Sequence, residues 1–249
     1  VKFKKTGILI DRLERISVDF RKEDRSMKIN IAIDGPAGAG KSSIAKEISR
    51  QFGFVYVDTG AMYRAIGLYM LRKGINPKEA EKVLPLLSEI KLSLRFSKEG
   101  QRVLLNGEDV SEEIREPQVS MAASDVSAIP GVRDFLLNLQ QEMAKQNDVI
   151  MDGRDIGTVV LPNAQLKIYL TASAEERAQR RRAQLQEKGI EDSFEMVLED
   201  IKRRDYQDSH RKVAPLKPAS DAQYFDTTGN TLEESVQMLS NIIKKHFNL

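Results

Sequence analysis

The sequence predicts an α/β fold of three layers, with a five-stranded parallel sheet between helices, a small inserted antiparallel β lobe and a helical arginine-rich segment. Three observations predict it. Short apolar, β-branched stretches alternate with helically spaced ones, as expected of strands covered on both faces. The first such stretch runs into a glycine-rich loop that a helix follows. One region, about 91–110, breaks the alternation with hairpin chemistry.

Lys28–Ile33 (KINIAI) ends at Asp34-Gly35-Pro36 and reads as a buried strand. Ser42–Phe52 carries Ile44, Ala45 and Ile48 on one helical face, and Phe54–Val57 is a second strand. Met62–Arg72 and Pro77–Glu89 read as helices, the second opening near its proline. Lys91–Phe96 alternates, with Leu92, Leu94 and Phe96 on one side. Ser97–Gly100 is a turn, Gln101–Leu105 its partner strand, and Asn106-Gly107 a hairpin turn before Glu108–Val110. Ser111–Ser127 and Gly131–Gln146 are helical, and Val149–Met151 and Leu166–Leu170 are short strands. Ala174–Glu187 and Phe194–Ser209 are charge-rich helices, closed off by Pro215 and Pro218. Gln223–Phe225 is the last strand, and Leu232–Phe247 a final helix with Val236, Leu239 and Ile243 at helical spacing. There is no internal repeat and no low-complexity segment.

Composition narrows the function. The 249 residues include 39 Lys and Arg against 37 Asp and Glu, a net charge of +2 that gives no whole-chain case for nucleic-acid binding. The chain has no cysteine, which excludes disulfides, cysteine-held metals and thiol catalysis and suits a reducing cytoplasm. No apolar run approaches the ~18 residues of a membrane span, and no heptad pattern points away from a monomer. Residues 1–26 carry no chemical motif. With Met27 just before the first strand, they read as a non-natural or mobile extension to a domain of residues 27–249.

The loop Gly35-Pro36-Ala37-Gly38-Ala39-Gly40-Lys41-Ser42 fits G-x-x-x-x-G-K-[ST] at every fixed position, with Ser43 next in line. Glycines let consecutive backbone N–H groups point at phosphate oxygens, and the helix that follows adds its positive end. In that arrangement Lys41 contacts β- and γ-phosphates, and the Ser42 hydroxyl ligates Mg²⁺. Asp58-Thr59-Gly60-Ala61-Met62-Tyr63-Arg64 closes the second strand, on the sheet edge where ligands bind, and Asp58 or Thr59 also suits a helix cap. Asp152-Gly153-Arg154-Asp155 closes another strand. Asp152 is placed to act through a metal-bound water and Arg154 to hold a phosphate, with a plain ion pair as the simpler alternative. Arg177, Arg180, Arg181 and Arg182 lie on one charged helix, and Arg203, Arg204 and Arg211 lie on the next. Arg204, Asp208 and Arg211 fall at i, i+4 and i+7 and so share a face. The two helices, joined at Lys188-Gly189, suit a lid over phosphates, while Arg182 and Arg203 read as solvated. His210 and His246 receive no role.

GPAGAGKS, VDTGAMYRA, DGRDIGTVV, the EERAQRR helix and RDYQDSHRKVAPL together resemble the bacterial cytidylate kinase family over essentially all of residues 27–249. The resemblance implies transfer of the γ-phosphoryl group of ATP to CMP or dCMP with Mg²⁺, and it makes the 91–110 insert part of a monophosphate-binding lobe and residues 174–190 the lid. It assigns Ser124, Arg133 and Asp155 to the cytosine ring. It places Tyr63 against the monophosphate, with Arg64, Arg154 and Arg211 on its phosphate, Asp208 on the ribose hydroxyls with Arg204 nearby, and Arg177 and Arg181 in the lid. Thr59 stands where a serine is common and keeps the hydroxyl. Asp226-Thr227-Thr228 lies where the family approaches adenine. Cytosine offers an N4 donor and acceptors at N3 and O2, so an aspartate beside a serine and an arginine suits it better than uracil. The rival readings are a kinase for UMP, AMP or dTMP, a GTP switch, and a nucleotide-binding scaffold without activity. The absence of Asn-Lys-x-Asp weighs against the switch, and intact Lys41, Ser42, Arg154 and Arg211 weigh against the inactive scaffold.

Overall fold

A computed structural model describes residues 28–97, 100–187 and 189–249, so the N-terminal extension and part of the expected Ser97–Gly100 turn lie outside the described residues. These residues divide into two compact units, Thr59–Asn138 and the pair of segments 28–58 and Leu139–Leu249.

The larger unit is built on five strands: β1 (Asn30–Asp34), β2 (Val55–Asp58), β6 (Val149–Gly153), β7 (Leu166–Thr171) and β8 (Gln223–Asp226). They form one parallel sheet in the order β2-β6-β1-β7-β8, as the alternation predicts. On one face Ile31, Ile33, Ile150, Ile168 and Leu170 pack with Ile44 and Ile48 of α1 (Lys41–Phe52) and with Leu239 and Ile243 of α8 (Leu232–Phe247). The alternate residues Ala32, Val57, Val149 and Met151 are buried as well, which is why these strands read as continuous apolar runs. Each fully buried isoleucine contributes about 1.5–3 kcal/mol relative to exposure. Thr231 starts α8 with a capping box, its hydroxyl accepting from Glu234 N–H at 3.1 Å while the Glu234 carboxylate accepts from Thr231 N–H at 2.8 Å.

Two charged helices, α6 (Ala174–Glu187) and α7 (Phe194–His210), join through a small core of Ala178, Leu185, Val197 and Ile201. The face-sharing predicted for Arg211 is corrected here. Helix α7 ends at His210, and Arg211 takes extended angles (φ −64°, ψ 142°). Leu216 N–H donates to the Asp208 carbonyl at 2.8 Å, turning the chain back through Ala214, whose φ is 47°.

The smaller unit holds α2 (Thr59–Arg72), α3 (Ala80–Leu86), β3 (Leu92–Ser97), β4 (Gly100–Leu105), β5 (Glu108–Asp109), α4 (Pro117–Ser127) and the start of α5 (Pro130–Gln146). The three strands form an antiparallel sheet in chain order, with Asn106 (φ 53°) and Gly107 (φ 89°) making the predicted turn. Arg72, at the end of α2, reaches Glu108 at 2.7 and 2.8 Å and also pairs with Glu113.

Proline placement explains the misjudged helices. Pro77 lies in a turn, where Asn76 Oδ1 accepts from Lys78 N–H at 3.1 Å, so α3 begins only at Ala80. The expected helix from Ser111 breaks before Pro117 because Glu116 is forced into extended angles (ψ 146°), and α4 restarts with the proline in its first turn. Helix α2, in contrast, starts directly at the end of β2, so Thr59 is its first residue and not a cap outside it. Among the described residues no helix is long and apolar enough to cross a membrane.

Candidate active site

The parallel register brings Asp34, Asp58 and Asp152 to the carboxyl ends of three neighbouring strands, since Asp58 pairs with Asp152 and Asp34 with Gly153. Between β1 and α1 runs Gly35–Gly40. Helix α1 has neither a side-chain cap nor an acidic residue in its first turn, so its leading N–H groups are left for an anion. Lys41 is 6% exposed and its Nζ donates to the Pro36 carbonyl at 2.7 Å. Burial pushes its ammonium down to about 7, helped by the Arg154 charge, while Asp152, Asp34 and Asp208 pull it back up.

Ser42 Oγ donates to Asp152 Oδ2 at 2.8 Å, and Tyr56 Oη donates to Asp152 Oδ1 at 3.1 Å. Burial and then the facing Asp58 raise the Asp152 carboxyl, against Lys41, Ser42 and Tyr56. Beyond β6, Arg154 Nε donates to Asp208 Oδ2 at 2.8 Å, and Arg211 Nη2 lies 3.5 Å from Asp155 Oδ1. Arg211 Nε also donates to the Ala214 carbonyl at 2.6 Å, so leaving the helix does not take this side chain from the cluster. Burial, with Arg154 and Arg181 nearby, pushes the Arg204 guanidinium down. Several guanidinium groups thus converge on this end of the sheet, interleaved with the carboxylates of Asp152, Asp155 and Asp208.

Arg177 is buried and bonded on all sides. It donates to the carbonyls of Ala172 (2.9 Å) and Ala37 (3.1 Å) and to both Asp205 oxygens at 3.0 and 2.6 Å. Arg180 reaches the Thr227 hydroxyl at 3.1 Å and carbonyl at 2.7 Å, and Thr227 Oγ1 lies 3.3 Å from the Ala39 carbonyl. Both arginines therefore tie α6 to the phosphate loop or to the segment after β8. Arg203 pairs with Asp200 at 2.5 Å on the surface, as read from its position.

In the smaller unit, Thr59 is buried at the start of α2, with Tyr63 and Arg64 one turn on. The Arg133 guanidinium lies 5.5 Å from the Tyr63 ring centre and donates to the Ser127 carbonyl at 3.2 Å. Ser124, on α4, accepts from the Ser127 hydroxyl through its carbonyl at 2.8 Å. Among the described residues no group of three or more His, Cys, Asp or Glu side chains could hold a metal by itself.

The profile of the cytidylate kinase family matches residues 31–245. The chain belongs to the cytidylate kinase family. Proteins named cytidylate kinase are similar to it over most of their length. That of Caldicellulosiruptor saccharolyticus is 54% identical over 218 residues, 88% of this chain and 96% of the relative. That of Enterococcus faecalis is 50% identical with the same coverage. That of Caldanaerobacter subterraneus is 51% identical over 221 residues, 89% of this chain and 97% of the relative.

Within this cytidylate kinase chain, three residues at the site escape sequence reading: Asp34, Tyr56 and Asp205. Tyr56 reads only as an apolar strand position, and Asp205 only as one of several ion-pair partners on a solvated arginine face. Asp34 ends β1 and is 4% exposed. Its Oδ1 accepts from Ile156 N–H and its Oδ2 from Gly157 N–H, each at 2.7 Å. Burial raises its carboxyl from 3.8 to about 6, against those two backbone donors. Between these values the folded chain keeps a proton that the unfolded chain releases. The group's contribution to stability is therefore full below pH 3.8 and lost as pH rises through 6. Asp34→Asn removes the titration. The unfolding free energy of the variant relative to the parent is expected to rise by about 2 kcal/mol from pH 4 to pH 7. Urea melts across that range test it, and a flat difference would refute it.

Proposed function

We propose that this chain transfers the γ-phosphoryl group of ATP to CMP or dCMP, giving ADP and CDP or dCDP, with Mg²⁺ accompanying the ATP. The observation that carries the reading is one meeting of groups at the sheet end. The uncapped start of α1, Lys41 and the Ser42–Asp152 pair stand with the Arg154–Asp208 and Arg211–Asp155 pairs. Gly35, Pro36, Ala37, Gly38, Ala39, Gly40, Lys41, Ser42 and Ser43 hold the ATP phosphates. The Ser42 hydroxyl and Asp152 carboxylate, 2.8 Å apart, are hard oxygen donors, and such a pair fits Mg²⁺, which keeps several waters and phosphate ligands. Ser42 would hold the ion directly and Asp152 through water. When bound, Mg²⁺ neutralises charge on the β- and γ-phosphates.

The acceptor is already an anionic phosphate, so the chain needs no activated nucleophile. Catalysis is alignment and charge neutralisation by Lys41, Arg154, Arg204 and Arg211. Thr59, Tyr63 and Arg64 serve the monophosphate, Asp208 the ribose hydroxyls, and Ser124, Arg133 and Asp155 the base. In the lid, Arg177 is the anchor and Arg181 supplies charge. The reading treats the chain as a cytoplasmic monomer. ADP release with Mg-ATP and each of CMP, dCMP, UMP, AMP and dTMP tests it. Turnover with CMP and dCMP alone is expected. Equal turnover with UMP would overturn the base assignment, and no turnover with any acceptor would overturn the reaction.

A further inference from the structure

We propose that Asp34 is a positioning residue for Asp155 and Arg154, acting through the backbone of the turn that follows them. The proposal rests on the reading of Asp155 as a base-recognising group. After Arg154 and Asp155 the chain makes one wide turn, Ile156–Val160, closed by bonds such as Leu161 N–H to the Ile156 carbonyl at 2.7 Å. The leading N–H groups of such a turn have no acceptor within it. Asp34, more than 120 residues earlier in the chain, takes the first two of them, one on each carboxylate oxygen. Its two bonds fix the peptide planes directly after Asp155, whose own φ and ψ are −148° and 27°. That orientation in turn sets where the Asp155 carboxylate stands against Arg211 and where Arg154 stands against Asp208.

The packing around the clamp is tight. A Cβ added at Gly157 would sit 3.3 Å from Asp34 Oδ2 and 3.1 Å from Lys167 Cδ. A buried carboxylate is a costly way to hold a turn that an ordinary cap could hold, so its retention needs a reason beyond stability. The reason is placement. Asp34 is also the residue before Gly35, so the strand end that launches the phosphate loop is the same one that holds the Arg154–Asp155 turn. An asparagine is isosteric but offers one acceptor, and its amide group would meet the second N–H donor to donor.

The test uses Asp34→Asn, Asp155→Asn and the double variant in the full chain. In D34N the KM for CMP is expected to rise about tenfold and the preference for CMP over UMP to fall by a similar factor, while the KM for ATP stays within about twofold. In the D155N background, D34N should change the CMP/UMP preference no further. A uniform loss of kcat with both KM values unchanged would overturn the proposal, as would an effect of D34N on base preference that persists in full without Asp155. If D155N alone leaves the preference unchanged, the base reading of Asp155 fails and the proposal fails with it. If instead D155N moves the preference and D34N does not, the positioning role alone is lost. Should D34N not fold, Gly157→Ala disturbs the same clamp from the other side and should show the same split in KM, and its absence there would overturn the proposal equally.

Discussion

Lys41→Ala is expected to lower turnover by about 10²–10³-fold while leaving the KM for CMP nearly unchanged. Lys41 is buried with its Nζ on the Pro36 carbonyl, inside the loop that it would serve. Its charge is held there against burial and against Arg154 by three carboxylates, those of Asp152, Asp34 and Asp208. A binding-only lysine would stabilise ATP equally before and during transfer, and its removal would raise the KM for ATP with kcat intact. A lysine that meets the β,γ-bridge as charge shifts there acts on the transition state, and its removal lowers kcat. Steady-state kinetics at saturating ATP separate the two, with circular dichroism to verify folding. A variant keeping more than about a tenth of the parental turnover would remove Lys41 from the catalytic set.

What could be read in the chain beforehand follows from which forces are local. Strand and helix identities rest on short-range spacing, and α6 and α8 begin and end where the sequence pattern sets them. The glycine loop between β1 and α1 was legible because a tight strand-to-helix turn of this kind demands glycines at fixed positions. Proline effects were legible in kind but misplaced. Pro77 and Pro117 each act on the residue before or on a turn, so the helices start later than their apolar spacing suggests. Arg211 shows a different limit. Its i+7 spacing from Arg204 is real, but the Leu216 N–H that captures the Asp208 carbonyl comes from beyond the helix and ends it first. The wide turn at Ile156–Val160 has a repeat that no apolar spacing marks. Asp34, Tyr56 and Asp205 act on partners 122, 96 and 28 residues away, and a pattern read along the chain does not fix which distant group each contact, across the sheet or between helices, will meet.

Gly35→Ala is expected to destabilise the protein by at least about 3 kcal/mol and to weaken ATP binding by at least about 100-fold, an effect in the range of a severe core defect. The cause is space. Gly35 has φ +150°, and a Cβ there would lie 1.8 Å from the Leu170 carbonyl oxygen and 2.9 Å from its carbon. Leu170 is no flexible neighbour, since it sits in β7 and is paired with Phe225 of β8 on the side away from β1. Strand β7 cannot recede without breaking register on both sides, so the loop itself must lift and take its N–H groups off the phosphates. Gly53→Ala is the control, because Gly53 has φ +70° with nothing within 4 Å of its added Cβ. It should cost only the left-handed strain of about 1–2 kcal/mol and leave ATP binding unchanged. Urea melts and titration with a fluorescent ATP analogue compare the two. Equal effects would mean that lost backbone freedom, and not the approach to Leu170, makes Gly35 necessary. A large difference would mean that the first glycine of the loop is dictated by the sheet beneath it, and that the phosphate-facing N–H groups take their aim from that contact.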